Sequence, residues 1–280
     1  MAKISVIGIC GNSVFMTVDG FHRSGETVVA NSTFEEIGGK GINQAIAAAR
    51  MGAQVSFLTA VGNDADGEKC RQTACAEGID GYFAVKQGMR TTFAFILTDK
   101  HGENRVTEYV GAELTREDVL GFADQIAQSD ILLLQHEVPA EVNEAAIAIA
   151  AEHCVRVILN PAPIREINPS IADKIFAVTP NEHEKQGIAH LKFPNCITTL
   201  GKDGCSINDM EFIKAWPVNA VDTTGAGDTF NGVLAVCLAE GMDMKSACKC
   251  AVTASGISVT RHGVLASIPN REEIERMIKL

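Results

Sequence analysis

Two stretches of the chain combine residue types that could handle a phosphate and a hydroxyl. The first is Asp222-Thr-Thr-Gly225-Ala226-Gly227-Asp228-Thr-Phe-Asn-Gly-Val-Leu-Ala, a small-residue turn running into an apolar helical pattern. The peptide N–H groups of Gly225, Ala226 and Gly227 would project from the helix start, at the positive end of its dipole. Glycine lets a bulky anion approach the backbone closely. Asp228 would stand in the first turn beside that cradle, able to accept the proton of an attacking hydroxyl. A carboxylate is a weak base, but that suffices where the transition state of phosphoryl transfer is loose. The second stretch, Gly38-Gly39-Lys40-Gly41-Ile42-Asn43-Gln44-Ala45, is again a loop entering an Ala-rich helix. Lys40 and Asn43 can donate to hydroxyl or carbonyl oxygens. Taken singly, each stretch also reads as an ordinary helix start, with Asp228 matching the dipole and Lys40 solvated.

Other nucleotide and metal motifs are missing. The chain has no G-x-x-x-x-G-K-[ST], no G-x-G-x-x-G after a strand, no paired H-R-D and D-F-G, and no H-E-x-x-H.

Positioning these residues requires two kinds of strand. Short unbroken apolar runs at Ile4–Ile9, Val55–Ala60, Ile131–Leu134, Val155–Leu159, Ile175–Val178 and Cys196–Leu200 suit a parallel sheet buried on both faces. Ala-rich helical patterns lie between most of them: Gln44–Met51, Gly67–Glu77, Arg116–Ala127, Ala140–His153 and Thr229–Glu240. That alternation predicts βαβ units. Gly241 is placed to cap the last of these helices. Two more helices, Lys245–Arg261 and Glu272–Leu280, follow. By contrast, Thr27–Thr33, Thr92–Thr98 and Asn104–Val110 alternate apolar and polar residues, and 99–103 reads as a hairpin turn. Strands with one wet face do not belong in the doubly covered sheet. They predict a small second sheet, inserted at about 12–34 and 91–111, lying over the mouth of the main body as a lid.

Composition narrows the function classes. The 280 residues include 24 Lys and Arg against 35 Asp and Glu, for a net charge of −11. With no basic run, a free-standing nucleic-acid binder is excluded. Apolar residues make up 46% and charged residues 21%, an ordinary globular balance. No apolar stretch is long enough for a membrane helix, so no membrane partner is expected. The N-terminus reads as a first strand rather than a signal peptide. Nine cysteines without a C-x-x-C pair point to buried thiols in a reducing cytoplasm.

The two chemical stretches, in this order and about 180 residues apart, are more specific together than singly. They resemble the two signature regions of the PfkB family, the ribokinase-like carbohydrate and nucleoside kinases. The first signature covers Gly38 to about Asp64 and the second is DTTGAGDTFNGVLA. Between them Leu159-Asn-Pro-Ala-Pro163, Thr179-Pro-Asn-Glu182 and Thr199-Leu-Gly-Lys-Asp-Gly204 resemble further family blocks, so the likeness spans nearly the whole chain. It implies an α/β fold with a central, mostly parallel sheet flanked by helices and a small β lid, as one ribokinase-like domain over 1–280. It also implies transfer of the γ-phosphoryl of ATP to a hydroxymethyl group of a sugar (furanose or pentose) or nucleoside, with Mg²⁺. Carried over by position, Asp228 would be the catalytic base and Gly225, Ala226 and Gly227 the anion hole. Gly39, Lys40, Gly41, Asn43, Glu137 and Ser13 would contact the sugar. Asn181, Thr199, Leu200, Gly201, Lys202, Asp203, Gly204 and Gly227 would contact ATP. A monovalent cation, K⁺, would sit at Asp222, Thr224, Ser258, Arg261, Gly263 and Ser267. The family's lid-to-lid pairing implies a homodimer.

The chain departs from ribokinases in two places. They carry an Asn and an Asp after the first strand, the Asp clamping two ribose hydroxyls; ungapped alignment on Gly25-Glu26-Thr27 puts Gly11 and Ser13 there. A shifted loop would offer Asn12 instead. Losing that charged acceptor costs about 1–3 kcal/mol, so a furanose other than ribose, or a nucleoside, is the expected acceptor. Second, only 17 residues separate Asn181 from Thr199. That leaves room for a stub helix at Glu182–Ile188 and trims the nucleotide side of the sheet. Two rival readings stay open. In a sugar-phosphate kinase of the same family, His22, Arg23, Arg90 and Arg105 would grip the substrate phosphate. A non-catalytic sugar or nucleotide sensor would have no need of Asp228.

Overall fold

The structure is a computed structural model, and it describes residues 1–279. Six parallel strands form the main sheet: β1 (Lys3–Ile7), β4 (Gln54–Gly62), β5 (Asp80–Lys86), β8 (Ile131–Gln135), β9 (Arg156–Asn160) and β10 (Ala177–Val178). Their order across the sheet is β10-β9-β8-β1-β4-β5. Helices cover both faces, and successive strand residues alternate between two cores. Ile131 and Leu133 pack with the helices α1 (Lys40–Arg50), α7 (Ala226–Ala239) and α8 (Met244–Ser258). Leu132 and Leu134 pack with α3 (Arg116–Gly121), α4 (Ala123–Ala127) and α5 (Ala140–Glu152). This is why these runs are apolar without alternation.

The helix α7 is apolar all round and buried from Asp228 to Leu238. It lies against α1 at Gly232, where an added Cβ would stand 2.5 Å from that of Ala47. That close approach brings the start of one helix beside the start of the other. Gly241, at φ 86°, closes α7 as expected.

The lid is a four-stranded sheet in the order β3-β2-β6-β7. Its strands are β2 (Gly11–Val18), β3 (Ser32–Gly38), β6 (Phe93–Asp99) and β7 (Asn104–Tyr109). The hairpin at 99–103 forms as read. The strand expected at Thr27–Thr33 does not: 25–30 is irregular and Val29 is 85% exposed. The pairing strand instead runs through Glu35 and Glu36, residues with low strand propensity. Partners outside the lid reach both: Lys69 bonds Glu35, which also accepts from Asn12 on the neighbouring lid strand, and the amides of Val264 and Leu265 bond Glu36.

The run Cys196–Leu200 also departs from expectation. Its ordered part, β11 (Ile197–Thr199), heads an antiparallel sheet with β12 (Cys205–Ile207) and β13 (Glu211–Ile213). Only isolated parallel bridges, Val178 to Cys196 and Asn181 to Thr199, join it to the main sheet. The short connection holds the expected stub helix, α6 (Glu182–Ile188). A last helix, α9 (Arg271–Ile278), closes the described chain. Five cysteines are buried, but Cys75 and Cys154 are exposed. No described helix is long and apolar enough to cross a membrane.

Candidate active site

Asp228 lies in the first turn of α7 and is only 6% exposed. Asn43 Nδ2 donates to its Oδ2 at 2.9 Å and Gln44 Nε2 donates to its Oδ1 at 3.0 Å. The two signature stretches therefore meet at one carboxylate. Gln44 is held in turn, since its Oε1 accepts from Gln135 Nε2 at 2.7 Å. The same Gln44 amide reaches Asn160 Oδ1 at 3.3 Å. Asn160 donates to the Thr179 carbonyl, Thr179 Oγ1 to Asn231 Oδ1, and Asn231 Nδ2 to the Gly227 carbonyl. A buried chain of amides thus links Asp228 to the turn that precedes it. Such a network restricts side-chain geometry; among the described residues, Asn43 Oδ1 and Gln135 Oε1 have no protein donor.

Lys40 opens α1, and its backbone N–H donates to Glu137 Oε2 at 2.7 Å. Glu137 sits just past β8, at the carboxyl ends of the strands where open α/β sheets bind ligands. Burial pushes its carboxyl up to about 7, opposed by the Lys40 charge and reinforced by that of Asp228. The Lys40 ammonium is raised above its ordinary value, first by Asp228, against the cost of burial, and further by Glu137, Glu184 and Glu108. Four carboxylates thus favour the charged form of Lys40.

The turn before α7 has the shape of an anion cradle. Gly225 is left-handed at φ 75°, and an added Cβ would stand 2.5 Å from Val264 Cγ1. The Ala226 N–H turns back to the Thr223 carbonyl at 3.3 Å. Among the described residues, the N–H groups of Gly225, Gly227 and Asp228 have no protein acceptor. The set of free donors thus differs by one member from the expected Gly225–Gly227, the Asp228 amide standing in place of that of Ala226.

Beside the cradle lies a cleft of about 680 Å³. Thr199, Gly201, Lys202, Asp203 and Gly227 line it, with Trp216, Val218 and Phe230 as apolar walls. No residue of 182–198 lines this cleft. Leu200 and Gly204 instead close the turn, through Leu200 N–H to the Gly204 carbonyl. Asn181 caps α6, its side chain exchanging hydrogen bonds with Glu184.

The residues assigned to a monovalent cation also gather. Asp222 accepts from the N–H of Thr224 at 2.9 Å and of Gly263 at 3.3 Å. The Arg261 N–H reaches the Ser258 carbonyl, and its guanidinium reaches Glu273 and, at 3.5 Å, the Ser267 carbonyl.

On the lid, Ser13 pairs with Glu36 in register, on the face from which Glu36 reaches the Val264 and Leu265 amides. Asn12 points the other way, donating to Glu35 and Asp66, so its side chain does not share the Ser13 face. Of the basic groups considered for a substrate phosphate, Arg90 and Arg105 are engaged elsewhere. The Arg90 guanidinium lies over Phe93, on the Asn12 face, and 3.9 Å from Asp66. That of Arg105 lies over Phe21, and His22 and Arg23 are exposed.

Sequence reasoning missed Gln44, Gln135 and Asn160, as well as Glu184 and Glu36. Gln44 and Asn160 lie in stretches singled out above for other residues, and Gln135 carries no local pattern of its own. For Glu184, the Asn181-to-Glu184 spacing of a capping box was the available signal.

Comparisons with known proteins agree with this geometry. The pattern of the pfkB family carbohydrate kinases matches residues 1–271. The ribokinase of Bacillus subtilis (strain 168) is 36% identical over 298 residues, covering 99% of this chain and 100% of the relative. The crystal structure of a ribokinase from Thermotoga maritima superposes with a TM-score of 0.88 at 33% identity, covering 100% of both chains. The Arabidopsis thaliana ribokinase complexed with ribose and ATP superposes with a TM-score of 0.87 at 25% identity, again over 100% of both. With the signature residues converging on one buried carboxylate and the likeness running end to end, the chain belongs to the pfkB family of carbohydrate kinases.

Proposed function

We propose that this protein transfers the γ-phosphoryl group of ATP to a hydroxymethyl group of an unphosphorylated sugar or nucleoside. The observation that carries the reading is the buried Asp228 carboxylate, held by Asn43 and Gln44 beside free amides at the start of α7. The acceptor oxygen attacks the γ-phosphorus, and its proton passes to Asp228. The bond to the β-phosphate oxygen breaks and its electron pair leaves with ADP. The amides of Gly225, Gly227 and Asp228 hold the charge of the transferring group. Lys40, Asn43, Glu137 and Ser13 orient the sugar, with Gly39 and Gly41 allowing its approach. Asn181 and the 199–204 turn border the nucleotide, with Trp216 and Phe230 walling its base.

Mg²⁺, when bound, neutralises phosphate charge. The described residues offer no cluster of three metal ligands. That suits an ion that arrives on the nucleotide and keeps water and phosphate oxygens. Asp228 and Glu184 are the carboxylates that would face it. K⁺ would be held at Asp222, Thr224, Ser258, Arg261, Gly263 and Ser267, several of them through backbone carbonyls, with the Asp222 carboxylate fixed by the Thr224 and Gly263 amides.

The charges around Lys40 favour a neutral acceptor over a sugar phosphate, since Asp228, Glu137, Glu184 and Glu108 all act on it. Ser13 in place of a carboxylate favours an acceptor other than ribose. We also propose a homodimer through the lid, where Phe95 and Tyr109 stand 42% and 50% exposed on the face away from Ser13. Sedimentation equilibrium should return twice the chain mass; a monomer would remove that part.

The test of the activity is an ADP-release screen over free sugars, sugar phosphates and nucleosides, with and without K⁺. Turnover with a free sugar or nucleoside is expected. No turnover with any acceptor, or a preference for sugar phosphates, overturns the reading.

A further inference from the structure

Glu36 lies on the lid strand β3, and its partners lie in the loop after α8. Its Oε2 accepts the Val264 N–H at 3.1 Å and its Oε1 accepts the Leu265 N–H. The preceding amide, Gly263 N–H, goes to Asp222 Oδ2. Two carboxylates from distant parts of the chain therefore hold three consecutive amides. Gly263 is left-handed at φ 79°, which turns neighbouring N–H groups toward one side, an arrangement suited to binding anionic oxygens. Leu265 is fixed from the opposite direction, its carbonyl accepting from Arg50 Nη1 at 2.6 Å.

The loop in turn touches the anion cradle. The Val264 side chain packs where a Cβ of Gly225 would be. Asp222, which shares the loop with Glu36, also accepts the Thr224 N–H, one residue before Gly225. The route from the lid to the phosphate cradle is therefore one side chain and one loop: Glu36, the 263–265 amides, Val264, Gly225. A glutamate in the middle of a lid strand is poorly suited to β structure, and this bond gives it a purpose.

We infer that Glu36 is a positioning residue that couples the lid to the phosphate cradle, so that filling the nucleotide cleft also orders the lid strand. The inference rests on the kinase reading for the identity of the nucleotide. Binding linkage then requires the reverse as well: ordering the lid favours the nucleotide. A lid that closes only when both sides are ready protects ATP from water.

The test is hydrogen–deuterium exchange on the whole protein, with and without the non-hydrolysable ATP analogue AMP-PCP and Mg²⁺. Wild type is compared with Glu36→Gln, which keeps one acceptor oxygen, and Glu36→Ala, which keeps none. In the unliganded protein the Val264 and Leu265 amides should exchange roughly tenfold faster in Glu36→Ala, with Glu36→Gln between. With AMP-PCP, wild type should gain protection both at 199–230 and at the lid strand 32–38. Both variants should keep the first and lose most of the second. A merely structural glutamate would not separate the two. Lid protection that survives in Glu36→Ala, or that is absent in wild type while the cleft is protected, overturns the coupling. No protection at 199–230 in wild type overturns the nucleotide reading and, with it, the coupling.

Discussion

The side-chain amide of Gln44 donates to Asp228 Oδ1 at 3.0 Å, across 184 residues of chain. With Asn43 on the other oxygen, it fixes the plane of the carboxylate before any ligand arrives. Preorganisation of this kind lowers the cost of reaching the transition state.

Changing Gln44→Glu tests that role at constant shape. It places a second carboxylate against Asp228 and removes a donor. Like charges at this distance oppose joint ionisation. In the Glu137→Gln background, where the limb near pH 7 is flattened, kcat/KM of Gln44→Glu should therefore fall off at a higher pH than with Gln44 retained. A superimposable pH profile for the variant would remove Gln44 from the account.

Glu137 gives a second pH signature. Its carboxyl is pushed up to about 7, first by burial. The ionised form accepts the Lys40 N–H and hydroxyl donors, so kcat/KM for the acceptor should fall as pH drops through about 7. In Glu137→Gln that limb should flatten, at a lower plateau. Stability should move the other way. The folded state retains a proton that the unfolded chain loses above its ordinary value of 4.5, so this group's contribution shrinks as pH rises from there to about 7. Urea titrations of wild type and Glu137→Gln across that window would reveal it.

Two neighbouring glycines should respond differently to alanine. Gly225 is left-handed and has Val264 against it. Gly225→Ala should cost about 1–3 kcal/mol of stability and most of the turnover. Gly227 has open space where a Cβ would go and borders the cleft. Gly227→Ala should fold at least as well as wild type, because alanine is the better helix former by about 1 kcal/mol. Its KM for ATP should rise, as the methyl group enters the anion's space. Thermal melts and nucleotide kinetics on both variants check the contrast.

The parts of the site that were legible in the sequence are those that are local. Gly225 to Asp228 and Gly39 to Asn43 carry turn, dipole and donor within a few residues, and Glu182–Ile188 was readable from its length. The buried amide chain from Gln135 through Gln44 and Asn160 to Asn231 was not. Each member is an unremarkable polar residue until β8, β9, α1 and α7 are packed together. The lid misled for a physical reason. Thr27–Thr33 has the right alternation, but only its end at Ser32 and Thr33 finds a partner strand, whereas Ser32–Gly38 pairs throughout and carries two glutamates that also bond Lys69, Val264 and Leu265 outside the lid. The edge strand Asp80–Lys86 escaped notice because its charged ends and Gly81 dilute the apolar pattern. Cys196–Leu200 looked like a sheet strand because a buried antiparallel strand can be as apolar as a parallel one.

The central claim is that the Asp228 carboxylate receives the acceptor's proton while the start of α7 holds the phosphoryl group. The most direct measurement sets turnover against nucleotide binding for wild type and Asp228→Ala, using the best acceptor from the ADP-release screen. The account predicts a fall in kcat of about 10²–10⁴, with the Kd for AMP-PCP changed by no more than about twofold. An Asp228→Ala protein that keeps most of its turnover would contradict it.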